Sequence, residues 1–122
     1  MKIRNGFVSN SSSSSFMISK SVLSQEQISA IHNHMNYAKN NFPNMVDKYS
    51  GKNQYIWSWN ILENDEHMFG FVDMNNFDMR YFLEKIDILD KDIILKRVYG
   101  NTYGMSYHEK ISFITKELKK VD

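Results

Sequence analysis

The sequence predicts an α+β domain, a small, mostly antiparallel sheet with about three helices packed on one of its faces. Three observations carry that expectation. Two segments place a Ser three residues ahead of a Gln or Glu, just before apolar residues at steps of three and four, which is the signature of capped amphipathic helices. Residues 55–73 carry a period-2 pattern rich in β-formers on both sides of an acidic turn, the pattern of a hairpin. Strand-like and helix-like segments follow one another as β-β-α-β-β-α-β-α, and hairpin-connected neighbours make a mostly antiparallel sheet.

The first twenty residues, MKIRNGFVSNSSSSSFMISK, are basic through Lys2, Arg4 and Lys20, and the first acidic residue is Glu26. Their pattern gives two short strands, 3–8 and 16–19, joined by a polar loop. A serine run is commonly a flexible tether. Here Phe7 and Val8 precede it and Phe16 and Ile18 follow it, and these side chains favour burial at both ends. Ser9, Asn10, Ser11, Ser12, Ser13, Ser14 and Ser15 are therefore expected to form a partner- or anion-contacting loop, its successive amides and hydroxyls turned outward. Ordering such a loop costs on the order of 1–2 kcal/mol of backbone entropy per residue, which its own hydrogen bonds or a partner must offset.

Residues 24–42 read as one helix. Ser24 and Gln27 form a capping-box pair, Leu23 and Ile28 stand at staple spacing, and Ile28, Ile31, Met35, Ala38 and Phe42 make one stripe ended by Pro43. In the hairpin, Tyr55, Trp57, Trp59 and Ile61 share one face, and Phe69 and Phe71 share a face of the returning strand. Gly70 lies on the other face, where it admits a neighbouring aromatic or marks a bulge. Asn75 or Asn76 is the expected cap of a helix carrying Met79, Phe82, Leu83 and Ile86. Residues 93–99 form a further strand candidate. The last helix opens with Ser106 and Glu109 as a capping box and carries Tyr107, Ile111, Ile114, Leu118 and Val121.

The 122 residues, 42% of them hydrophobic, fit one domain over 1–122, with 1–20 as a Ser-rich hairpin-like motif and 21–122 as the core. With no Cys, disulfides, thiolate zinc sites and a Cys nucleophile are excluded. The net charge of +1 disfavours a dedicated nucleic-acid clamp. No apolar run approaches the roughly 18 residues of a membrane span, and no secretory h-region is evident, so the host cytoplasm is the expected location.

No residue set converges on catalysis, and no cofactor or metal is expected. His32 and His34, two apart on a helix, point about 200° from each other. His108 and Glu109 begin a His-Glu-x-x-His pattern that ends in Ser112, and Glu109 is better used as a cap. The stretch 73–78 lacks the central Gly and distal Glu of a calcium loop. Lys96, Arg97, Tyr99, Asn101 and Tyr103 interleave basic and aromatic residues, which suits either single-stranded nucleic acid or a guarded sheet edge. Trp57 and Trp59 are either core or interface anchors. Because Ile56 and Leu62 make the strand apolar on its other side too, a second cover is required, with a partner chain as one candidate. Trp57, Trp59, Arg97, Tyr99 and Tyr103 are accordingly the candidate interface residues.

The opening Gly-Phe-Val-Ser-Asn-Ser-Ser-Ser-Ser-Ser-Phe, residues 6–16, resembles the start of many small uncharacterised proteins of bacteriophages and prophage-bearing bacteria. The stretch 70–79, running on to Phe82 and Leu83, is similar to a second segment of some of them. The resemblance implies a phage or mobile-element origin and brings no activity or site residue with it. The expected function is a non-enzymatic phage or prophage accessory protein that binds a host or phage protein, in host takeover or anti-defence. The alternatives are a virion-associated structural protein, a nucleotide- or phosphate-binding enzyme using the Ser-rich loop, and a single-stranded nucleic-acid binder. A homo-oligomer remains open.

Overall fold

The structure, a computed structural model, describes residues 13–45, 56, 58–73, 77–97 and 104–119. In chain order it contains β1 (Ser14–Ser19), a 3-10 turn (Lys20–Val22), α1 (Gln25–His32), α2 (His34–Asn41), β2 (Asn60–Glu63), β3 (His67–Val72), α3 (Met79–Lys85), a second 3-10 turn (Asp90–Asp92), β4 (Ile93–Arg97) and α4 (Tyr107–Leu118). The four strands form one sheet in the order β2-β3-β1-β4, with every pairing antiparallel. The α+β class and the small antiparallel sheet are thus as the sequence reads. The expected strand at 3–8 lies outside the described residues.

β1 is central and sets both faces of the sheet. Phe16 and Ile18 point to one side, where Met68, Val72 and Ile93 join Ile31, Ala38, Phe82 and Leu83 of α1, α2 and α3 in the main core. Met17 points to the other side with Phe69 and Phe71, where Ile114 and Leu118 of α4 cover them. Helices on a single face were expected. Instead α4 crosses to the opposite face, because β3 alternates large apolar residues on both of its sides. The second cover that the sequence demands is supplied by the chain itself.

Gly70 stands opposite Phe16 in the β1–β3 register. A Cβ there would lie 2.1 Å from a carbon of the Phe16 ring, so of the two roles read for this glycine it has the first. The absent side chain is the seat of the ring.

The helix expected over 24–42 is two helices broken at Asn33, whose φ and ψ are −109° and 32°. The capping box at Ser24 is present, with both bonds made at 3.1 and 2.8 Å. The break has a side-chain cause. His34 Nδ1 donates to the Ile31 carbonyl at 2.8 Å, the group that would take the Met35 N–H in a continuous helix. The stripe survives the break, with Ile31 and Ala38 fully buried and Ile28, Met35 and Phe42 against the core.

Two boundaries shift. β2 starts at Asn60, so Trp59 precedes the strand, while Tyr55 and Trp57 lie outside the described residues. The cap of α3 is Asp78, which accepts from the Tyr81 N–H at 3.1 Å, and not Asn75 or Asn76, which lie outside the described residues. The capping box of α4 at Ser106 and Glu109 is made as expected.

Candidate partner-binding surface

The structure separates the residues that the sequence grouped together. Ser9, Asn10, Ser11 and Ser12 lie outside the described residues. The loop expected over 9–15 does not extend to the end of the serine run, because Ser14 and Ser15 are the first two residues of β1. Ser14 is 4% exposed and Ser15 fully buried, since a central strand flanked by β3 and β4 is closed on both edges. Ser15 Oγ faces the α4 side without a hydrogen-bond partner among the described residues. Ser13, half-buried, donates to the Asp73 carbonyl at 3.4 Å.

Of the candidate interface residues, Trp59 is core. It is 4% exposed, its indole Nε1 donates to the Phe77 carbonyl at 3.2 Å, and its ring lies 5.7 Å from that of Phe16. Its anchoring potential is spent inside the molecule. Arg97 is exposed at the end of β4, which pairs with β1 alone among the described residues. Trp57, Tyr99 and Tyr103 lie outside the described residues.

The exposed aromatic surface lies elsewhere, on the outer side of α2 and α3. Tyr37 and Tyr81 are 37% and 46% exposed. The Tyr37 ring packs 5.9 Å from both Phe42 and Phe82. Lys85 Nζ sits over the Phe42 and Tyr81 rings, 5.4 and 5.9 Å from their centroids, a cation–π arrangement that keeps the ammonium beside apolar faces. Next to this cluster is an open depression of about 380 Å³, with Ala30 and Ile86 against it and Glu26, Gln27, Tyr37 and Asp87 around it. Gln27 Nε2 donates across to the Ile86 carbonyl at 2.9 Å, fixing α1 against the end of α3.

The sequence did carry a signal for these residues. Tyr37 falls outside the stripe 28, 31, 35, 38, 42, and Tyr81 outside the stripe 79, 82, 83, 86. A large aromatic off the apolar stripe of an amphipathic helix is placed toward solvent.

A second polar centre lies at the far end of β2. Glu63 pairs with Lys20 at 2.5 Å and with His32 at 2.6 Å. The hydrogen bonds from Lys20 and His32 hold its carboxyl below the usual range. The Tyr107 hydroxyl donates to the Glu63 carbonyl and accepts from the Glu63 N–H. The arrangement joins α1, α4 and the first 3-10 turn to β2. It is a clamp between elements, with one carboxylate already engaged by the Lys20 ammonium and the His32 imidazole. Among the described residues, no group of three or more His, Asp or Glu side chains is placed to hold a metal ion, and no helix is long and apolar enough to cross a membrane. Comparison of the chain with family models, curated proteins and solved structures gives no match.

Proposed function

We propose that the protein binds another protein through the α2–α3 face, as a small non-enzymatic accessory protein of a phage or prophage. The observation that carries the binding reading is the cluster of exposed Tyr37, Tyr81 and Lys85 around the half-buried Phe42 ring. Exposed tyrosines with rigid rings on a packed base are the residues that anchor protein interfaces. The depression beside them offers a recess for one side chain of the partner. The phage setting rests on the resemblance of residues 6–16 and 70–79, and host takeover or anti-defence is the role that fits a small binding protein of such origin.

The test is capture of partners by the tagged full chain from infected host cells, run beside Tyr37→Ala/Tyr81→Ala. The captured protein is then purified and its affinity for both chains measured. Both rings are partly solvated, so the double variant is expected to keep the circular dichroism of the native chain and to bind at least about tenfold more weakly. Equal affinity of a correctly folded double variant would overturn the assignment of this face.

A further inference from the structure

His34 sits at the joint between α1 and α2, 3% exposed, and both of its ring nitrogens are in use. Nδ1 lies 2.8 Å from the Ile31 carbonyl, which can only accept, so Nδ1 carries the proton. Nε2 lies 2.9 Å from the backbone nitrogen of Trp59, which can only donate, so Nε2 is the acceptor. The two partners select one neutral tautomer. The rings of Phe77 and Phe82 stand T-shaped to the imidazole, with centroids 5.0 and 6.3 Å away.

We propose that His34 is a proton-operated latch: protonation at Nε2 frees the Trp59 backbone and loosens the lead-in to β2, while the β3–β1–β4 ladder holds. A proton on Nε2 replaces a lone pair with an N–H aimed at another N–H. Two donors then face each other with no acceptor between them, in a buried site. The contact has to open. Burial pushes the imidazole below its ordinary pKa, the Ile31 carbonyl works against that, and a charge on His32 adds to it.

The neighbouring groups leave His34 as the group that responds. From α1 the titratable side chain acting on it is His32. Ser58, Trp59 and Phe77 bring no titratable group. α3 brings the Phe82 ring, while its Arg80 is paired with Asp90, its Lys85 lies over Phe42 and Tyr81, and its Glu84 is exposed. On α2 itself, Tyr37 packs against Phe42 and Phe82, and Lys39 is exposed.

The topology makes the opening local. β2 is the outermost strand on its side of the described sheet, so it can loosen at one end without breaking the central pairings. Its other end is pinned at Glu63 by Lys20, His32 and Tyr107. The latch is independent of the binding reading above.

The test is residue-resolved amide exchange on the ¹⁵N-labelled full chain, expressed as protection factors between about pH 7.5 and about pH 5, with the imidazoles titrated by NMR on the same sample. Protection at Trp59 is expected to fall by up to about tenfold per pH unit below about pH 6.5, the ordinary imidazole value that His34 regains when the contact opens, and to level off where the folded-state His34 titrates, with Phe16 and Ile18 unchanged. In His34→Gln the pH dependence at Trp59 is expected to vanish. The proposal is overturned by flat protection at Trp59, by a fall shared with Phe16 and Ile18, or by pH dependence that persists in His34→Gln. If that variant does not fold, the native-chain titration alone decides.

Discussion

At Asp87 the backbone takes φ of 70°, a left-handed conformation that an L side chain adopts with strain. The end of α3 requires it. The Asp87 N–H bonds to the Glu84 carbonyl at 3.0 Å, and the Ile88 N–H bonds to the Leu83 carbonyl at 3.0 Å, the pairing that closes a helix when its first outside residue is left-handed. Asp87→Gly keeps both bonds and removes the Cβ. It is expected to stabilise the protein by about 0.5–1 kcal/mol, read as a higher urea midpoint. A midpoint unchanged or lower would show that the Asp side chain contributes more than its strain costs. This position was illegible in the sequence, because Asp is common in loops and nothing local marks the one that turns left-handed. Gly70 was legible, because a glycine between two phenylalanines in a strand has no local reason and so points to a close neighbour. The burial of Ser15 was illegible for the opposite reason, since a serine run reads as solvent-facing and only the pairing of β1 with two strands encloses it.

At the scale of elements, the legible features are those settled within four residues. Both capping boxes are made as the spacing requires. The break at Asn33 could not be read, because its cause is an imidazole that also reaches the backbone of Trp59, 25 positions along the chain. The clamp at Glu63 could not be read either, since it joins residues 20, 32, 63 and 107 from four elements. It has a consequence for acid stability. Lys20 and His32 lower the folded-state pKa of Glu63, so below about pH 4.3, the ordinary carboxylate value, the unfolded chain takes up protons more readily than the folded one. The stability that Glu63 contributes is therefore intact above that pH and is lost as pH falls through its folded value. Glu63→Gln removes this titration. The urea midpoint of the native chain is expected to fall more steeply than that of the variant below about pH 4.3. Parallel profiles would show that the clamp is electrostatically silent.

Across the whole molecule, two cores share one sheet. The larger lies under α1, α2 and α3, the smaller under α4. The sequence made the need for a second cover legible through Ile56 and Leu62, opposite the Trp57 and Trp59 side of the hairpin strand. It offered a partner chain for that cover, because all helices were expected on one face, and the return of α4 across the other face depends on how the chain runs after β4. The smaller core has few buried side chains, and Ile114, fully buried on Met17, Phe69 and Phe71, is central to it. Ile114→Ala is expected to destabilise the protein by about 2–4 kcal/mol, from lost burial together with the cavity left behind. Ile114→Asp places an unpaired charge there and is expected to lift α4 off the sheet. The face so exposed is apolar and lies on the central strand, so the variant is expected to bind a hydrophobic dye and to self-associate in size-exclusion chromatography. The α2–α3 face is separate from this core, so the binding proposed for it is expected to survive. A folded, monomeric, dye-negative Ile114→Asp would mean that α4 is dispensable as a cover.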